Sequence, residues 1–396
     1  MTRRSRPGWI GTAFLLAALG GKASAGDGDA LEFKYMYYWD RNGVRNHSPA
    51  IALAKAVSSI LKLSWQQEFD AVSGASRRLG LGRIGRQGDN GLELDGLTGA
   101  SRREWRHSEK AGLAYAYGRR TAKVTLYHSA EDDYTSYSPA VSGSWDLNGR
   151  NTTLGVEAAV FFDDLHPAGA FAGLSGKRRI SSLGLSLTQL LTPMTVASFS
   201  MNALFSQGYL GHPYNPVILA DGAMLSESLP DSRAGLALTG LVVQGYRLVG
   251  KLGSARLEGR YYRDTWELAS QTLDAQFYQY VRGSAYLRLR ARAYQQQQAG
   301  FVKAAYAGNE VYRTADIRYF GFSSLLAGVK AGADFPENWG QGALWPDRWD
   351  ISYDHGLRNT RGQGDDAGSP YYQYQLFSRD EYYLQGTFML GLGFDL

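Results

Sequence analysis

Apolar residues fall on alternate positions along much of this chain. Phe33, Tyr35, Tyr37 and Trp39 alternate with Glu32, Lys34, Met36 and Asp40. Leu61, Leu63, Trp65 and Phe69 alternate with Lys62, Ser64, Gln66, Glu68 and Asp70. The same pattern returns at Leu154 to Phe162, at Leu183, Leu185 and Leu187, and at Leu287, Leu289 and Ala291, the last set interleaved with Arg288, Arg290 and Arg292. A period of two puts the apolar set on one face of an extended strand and the polar set on the other. Soluble sandwiches alternate too, but their strands average about five or six residues. Here the runs often extend over roughly ten to fifteen residues, the length that crosses a bilayer at a barrel tilt. The chain end repeats the pattern: Tyr382, Leu384, Gly386, Phe388, Leu390, Leu392, Phe394 and Leu396 share one face. A transmembrane barrel needs such a last strand, because pairing it with the first removes the open edge. The sequence therefore predicts that 382–396 pairs with 31–41. It also predicts that Leu183, Leu185, Leu187, Leu287, Leu289, Phe388, Leu390 and Leu392 face lipid.

Connections alternate in length. Short turns are expected near Ser58, at Arg119-Arg120, Asn148-Gly149-Arg150 and Thr192-Pro193, at 250–253, and at Arg282-Gly283 and Pro336-Glu337-Asn338. Longer polar connections fall between them, at 73–103, 164–177, 208–230, 300–311 and 358–380. Short turns on one rim and long loops on the other are the outer-membrane arrangement, with the long loops extracellular. The expected fold is all-β: one closed antiparallel transmembrane β-barrel of about 16 strands, with 14 or 18 as alternatives. The count of sixteen requires 314–335 to form a single long or bulged strand.

The two ends of the chain fit export. Arg3, Arg4 and Arg6 precede a short apolar stretch from Trp9 to Leu19, and Ala23-Ser24-Ala25 offers a small-x-small cleavage site. Residues 1–25 thus read as a signal peptide cleaved before Gly26, and 26–396 as the barrel. The ending Gly391, Phe394, Leu396 approximates the terminal pattern by which the barrel assembly machinery takes up its substrates, with Leu in place of the usual final Phe. Composition adds two exclusions. Absence of cysteine rules out disulfides and thiolate metal sites. The formal charge of +5 comes mostly from Arg3, Arg4, Arg6 and Lys22, leaving 38 basic against 37 acidic residues, so no nucleic-acid partner is implied.

Seven segments in order resemble one known family. They are FDAVSGAS (69–76), SAEDDYTSY (129–137), DLNGRNTTL (146–154), GYLGHPYNPV (208–217), RYYRDTWELASQTL (260–273), RAYQQQQAGF (292–301) and TADIRYF (314–320). Together they resemble the bacterial domain-of-unknown-function 3570 family of outer-membrane barrel proteins. The chain departs from the pattern at His212, where an acid is commoner, and at Gln271, where His is common. The resemblance implies the barrel, outer-membrane lipid and lipopolysaccharide as surroundings, and no cofactor or reaction. It also associates such proteins with periplasmic flavin-transfer or thioredoxin-like proteins.

Candidate chemistry concentrates on the polar face. If Leu287 and Leu289 face lipid, then Arg288, Arg290 and Arg292 face inward, as do Arg256 and Arg260, giving a pore-lining basic patch toward the periplasmic side. Such a ladder attracts anions if free. It fills the lumen instead if it pairs with Glu157, Glu258 and Asp274. Acids gather at the other ends of the strands. Among them Glu131, Asp132, Asp133, Asp163 and Asp164 form a candidate cation-binding rim, with a solvated loop edge as the plainer reading. His128, Ser129 and Glu131 are the nearest approach to a catalytic cluster, but neighbouring strand residues point to opposite faces. The expectation is thus a channel for small polar or anionic solutes. A barrel plugged by residues 73–103 and partnering a periplasmic or extracellular redox system is the alternative, and a rim enzyme a distant third.

Overall fold

A computed structural model describes residues 29–40, 45–73, 104–167, 173–213, 217–219, 221–303, 305–336, 345–359 and 382–395. The strands are β1 (Ala30–Asp40), β2 (Arg45–Ala56), β3 (Leu61–Ser73), β4 (Glu104–Tyr117), β5 (Arg120–Ala130), β6 (Tyr134–Leu147), β7 (Thr152–Leu165), β8 (Gly176–Thr192) and β9 (Thr195–Gly208). After a loop hairpin of β10 (Val217–Ile218) and β11 (Met224–Leu225) come β12 (Ser232–Leu248), β13 (Lys251–Asp264), β14 (Ala269–Arg282), β15 (Ala285–Gln296), β16 (Phe322–Asp334), β17 (Arg348–Asn359) and β18 (Tyr382–Asp395). Among the described residues, all of these except β10 and β11 form one closed antiparallel barrel of sixteen strands. No described helix is long and apolar enough to cross a membrane, and the sheet closes without an edge.

Closure runs through the chain ends. Ala30 pairs with Asp395, Phe33 with Leu392 and Asp40 with Gln385. Leu396, the end of the expected insertion signal, and the leader 1–25 lie outside the described residues. The same alternation continues around the wall. Leu183, Leu185, Leu187, Leu287 and Leu289 are exposed on the outer face. Phe388 lies between Tyr37 and Tyr353, and Leu390 between Tyr35 and Ile351, in the same row of outward residues. Exposed aromatics mark both ends of that face, with Phe69, Trp105, Tyr137 and Phe162 toward the long loops and Tyr115 and Trp145 toward the short turns. Aromatic rings at these two heights suit the lipid headgroup boundaries.

One rim carries tight turns. At Val249-Gly250 both central residues are left-handed, φ 50° and 73°. That is the two-residue turn whose twist matches a hairpin, and glycine is the residue that accepts it without strain. The other rim carries the long connections. Residues 314–321 correct the expected long strand. They belong to the loop and contain a 3-10 turn at Ile317–Tyr319, and β16 begins only at Phe322. The strand count survives because a single strand, shorter than expected, still crosses there. Thr314 and Asp316 are buried in loop structure, which takes them out of the ladder.

Candidate functional site: the charged inner wall and its mouth

The inward positions on β13 to β17 carry a connected set of charges. Arg290 donates to Asp274 from Nε (2.9 Å) and Nη2 (2.6 Å), and to Asp354 from Nη1 (3.0 Å). Arg288 reaches the other oxygen of Asp354 at 3.2 Å. Asp354, on β17, therefore bridges two arginines of β15 across the width of β16. Gly328 on β16 makes the bridge possible, since a Cβ there would collide with the Asp354 carboxylate. Arg256 pairs along its own strand with Glu258 at 2.5 Å. Lower on the wall, Lys330 pairs with Asp350 at 2.8 Å. Charges partly removed from water are held by opposite charges and hydrogen bonds, as their desolvation cost demands.

Two of the five predicted basic residues stand apart. Among the described residues, no hydrogen bond or ion pair engages the guanidinium of Arg260 or Arg292. Both sit in the outer half of their strands, not the periplasmic half. They line a cavity of about 310 Å³ with Thr272, Tyr262, Tyr294 and loop residues Arg318 and Tyr319. Glu157 joins neither group; it lines a separate cavity of about 390 Å³ with Lys123, Ser142 and Asn202. A third cavity, about 540 Å³, follows the wall of β3 to β7 and is lined by Glu68, Arg106, Ser108, Ser136 and Ser138.

The outer rim is a series of acid–arginine pairs. Asp70 accepts from Arg106 and from the hydroxyl of Ser48. Asp163 accepts from Arg178 Nε and Ser136 Oγ, both at 2.7 Å. Asp264 accepts from Arg233 Nε (2.8 Å), the Tyr262 hydroxyl (2.8 Å) and the Trp266 amide (2.9 Å). Arg233 also lies 4.6 Å from the ring centre of Trp266, a cation–π contact. Of the candidate cation rim, Asp163 is thus committed to Arg178. Asp164 lies outward of it, 3.6 Å from His166. Glu131 and Asp133 have their own contacts. Among the described residues these five acids, Asp132 included, form no metal-binding group of three or more. Asp380 and Glu381 lie outside the described residues. His128 packs on Tyr137 (4.6 Å) on the outer face, and Ser129 is buried on the inner one, so the two do not converge.

Two of the long connections expected from the sequence, 208–230 and 300–311, meet at the mouth, where the described parts of 209–231 and 297–321 pack together. They join by reciprocal backbone hydrogen bonds between Ser228 and Arg313 (3.0 and 2.8 Å). Val217, Leu219 and Tyr306 form one small core there. A second contains Trp266, Leu268, Val302, Tyr319 and Phe320. The side chain of Gln296, on the inner wall, donates to the carbonyls of Arg318 (2.7 Å) and Phe320 (2.8 Å) and so holds 318–320 inward. The plug expected from 73–103 lies, apart from Ser73, outside the described residues; among the described residues 318–320 is held against the inner wall.

Glu227 sits at the junction of these loops. It accepts from the His212 amide (2.5 Å) and from the Thr314 hydroxyl. Burial raises its pKa to about 7, aided by the nearby Asp316 and opposed by the two hydrogen bonds and by Arg318. A folded value above the ordinary 4.5 means that the protonated carboxyl's stability is complete below that pH and is lost as pH rises through about 7. The junction should therefore loosen as pH rises from about 4.5 to about 7. Amide exchange across 297–321 is expected to quicken over that interval beyond the intrinsic pH effect. Glu227→Gln should hold exchange at the acid level throughout. Protection in the native protein that is equal at pH 5.5 and pH 8.5 would contradict this.

Comparison with known proteins supports the architecture. The barrel is similar to CdiB from Acinetobacter baumannii, with a TM-score of 0.51 and 9% identity over 92% of this chain and 60% of that one. The chain therefore spans about 60% of CdiB's length. Lower likenesses include a bacterial polysaccharide outer membrane secretin (TM-score 0.47, 8% identity, 92% and 97% of the chains). Pseudomonas aeruginosa OccK8 (OprE) follows at TM-score 0.43, 11% identity, 93% and 98%. No protein of curated function matches the sequence. The likeness to CdiB speaks to fold alone, that of a Gram-negative outer-membrane barrel. A family model described as a protein of unknown function, DUF3570, matches residues 11–345, and the chain belongs to that family.

Proposed function

We propose that this protein is an outer-membrane channel for small anionic solutes, narrowed at its outer mouth by two folded loops. The observation that carries the reading is the pair Arg260 and Arg292. They stand above Arg256, Arg288 and Arg290, which lie nearer the periplasm on the same strands and are paired with carboxylates. Uncommitted guanidinium groups at a constriction raise the local anion concentration and lower the barrier to entry. A sixteen-stranded wall is wide enough for an aqueous passage unless loops fill it. The reading includes export by the leader, cleavage near Ala25-Gly26, insertion through the barrel assembly machinery and lipopolysaccharide around the outer rim. It has the channel lined by the chain's own side chains, with no cofactor and no catalytic group.

A second reading is favoured by one observation, the fully buried Val217 and Tyr306 in the mouth loops. A mouth this well packed suits a plugged barrel that serves a periplasmic or extracellular redox partner. Liposome swelling separates the two. The channel reading expects proteoliposomes to admit small organic acids faster than neutral sugars of equal size. The plugged reading expects neither to enter.

A further inference from the structure

The cavity beside Arg260 and Arg292 has the features of a binding site and not only of a charged passage. We infer that it holds a small ring-bearing organic acid, the carboxylate between the two guanidiniums and the ring against tyrosines. The inference rests on the channel reading for its biological use and on the cavity alone for its chemistry.

Arg260 lies on β13 and Arg292 on β15, one strand apart on either side of β14. Thr272 on β14 pairs directly with Arg260 and with Tyr294, so its inward hydroxyl lies between the two arginine-bearing strands. Adjacent strands are spaced by about 4.8 Å, so two long side chains flanking one strand can reach a common anion. Arginine presents a planar fork of donors suited to a carboxylate, and such pairs form the stronger class of hydrogen bond. Neither guanidinium is hydrogen-bonded by another described group. Arg292 does stand opposite Asp274 across the β14–β15 pair and shares its field, but the hydrogen bonds of that carboxylate go to Arg290. The donors of Arg260 and Arg292 are thus left for a ligand, whereas those of Arg288 and Arg290 are taken by Asp274 and Asp354.

The rest of the cavity combines three tyrosines with polar side chains and two further arginines, Arg233 and Arg318, that are already paired with Asp264 and Asp316. Tyr262 and Tyr294 line it from the strands, and Arg318 and Tyr319 close it from the 3-10 turn. Tyr262 is fixed by its hydroxyl on Asp264 at 2.8 Å, and Tyr294 by its hydroxyl on Gln296 at 2.6 Å. Tyr294 also packs on Phe322 and Tyr262 on Arg233, so both rings are anchored at the cavity wall, and a volume of about 310 Å³ lies at the small end of ligand sites. A bare inorganic anion would use the arginines and leave the rings idle. A neutral ring would do the reverse.

Calorimetry on the full chain folded in detergent, with benzoate, acetate, phosphate and benzyl alcohol as probes, tests this. Benzoate should bind saturably and at least tenfold more tightly than each of the other three. Arg260→Lys and Arg292→Lys keep the charge but lose the fork, and each should weaken benzoate at least fivefold. The pair Arg260→Gln with Arg292→Gln should remove binding, while the gel mobility of the folded barrel persists. Equal binding of benzoate and acetate, phosphate binding more tightly than benzoate, or benzoate binding that survives the double change overturns the site. If the native protein carries no current in a bilayer yet binds benzoate as described, the site stands and the channel reading falls. An anion-selective current without any saturable benzoate binding has the opposite meaning.

Discussion

Asp354→Asn is expected to destabilise the barrel by about 2 kcal/mol and to increase its preference for anions. Removing one partner of a buried pair costs about 3–5 kcal/mol, because the other charge is left uncompensated. Here the site is only partly buried, with Arg288 at 11% and Asp354 at 18% side-chain exposure, so solvent reduces the cost. Arg288 loses the carboxylate that holds it, whereas Arg290 keeps Asp274. Two effects should therefore appear together: a lower urea midpoint and a reversal potential moved toward that of anions. Gly328→Ala should produce the same pair more weakly, by displacing the carboxylate instead of discharging it. A change under about 0.5 kcal/mol, the scale of an ordinary exposed pair, would show that the bridge contributes nothing.

Leu289→Arg should cost about 2–4 kcal/mol in folding from urea into lipid, the penalty for arginine on the lipid face near mid-bilayer. Leu289 is 51% exposed on the outer face. It stands five residues above the Gly283-Ser284 turn, or about 13 Å along the barrel axis at the usual rise and tilt. Leu287, two residues nearer the turn, should tolerate arginine at a distinctly smaller cost, since the penalty falls toward the interface. Arg288→Leu between them tests the opposite face and leaves Asp354 with Arg290 as its one partner, so a smaller but measurable loss of stability is expected. If Leu289→Arg is neutral while Arg288→Leu is well tolerated, the inner and outer faces have been exchanged.

The barrel was legible because its chemistry repeats every second residue. Phe33, Leu183, Leu289 and Leu390 each declare their face from their neighbours, and the final strand declares its partner by having none nearer. What could not be read is whatever depends on register. Asp70 and Arg106 are 36 residues apart, and Asp163 and Arg178 are 15 apart, with no local spacing that links them. The bridge from Asp354 to Arg288 spans 66 residues and passes over Gly328. A glycine inside a strand was the only sequence signal for it, since glycine there often marks a close approach. The basic residues were visible as a set, but their division into paired and uncommitted members was not. Register alone does not give that division, since Asp274 stands opposite Arg292 but accepts its hydrogen bonds from Arg290. The mouth loops were legible as long connections but their packing was not: Tyr306 is buried with Val217 and Leu219, about 90 residues away, and Phe320 with Trp266 and Leu268, about 50 away, without a periodic pattern.

The central claim is a conducting barrel whose outer constriction favours anions through Arg260 and Arg292. Reversal potential across a planar bilayer in a tenfold potassium chloride gradient tests it most directly. The native protein should give a potential displaced toward the chloride equilibrium value, and the Arg260→Gln, Arg292→Gln double variant one displaced toward zero or beyond, with its conductance retained. A native channel that is cation-selective, or a potential that the double change leaves unaltered, would contradict the account.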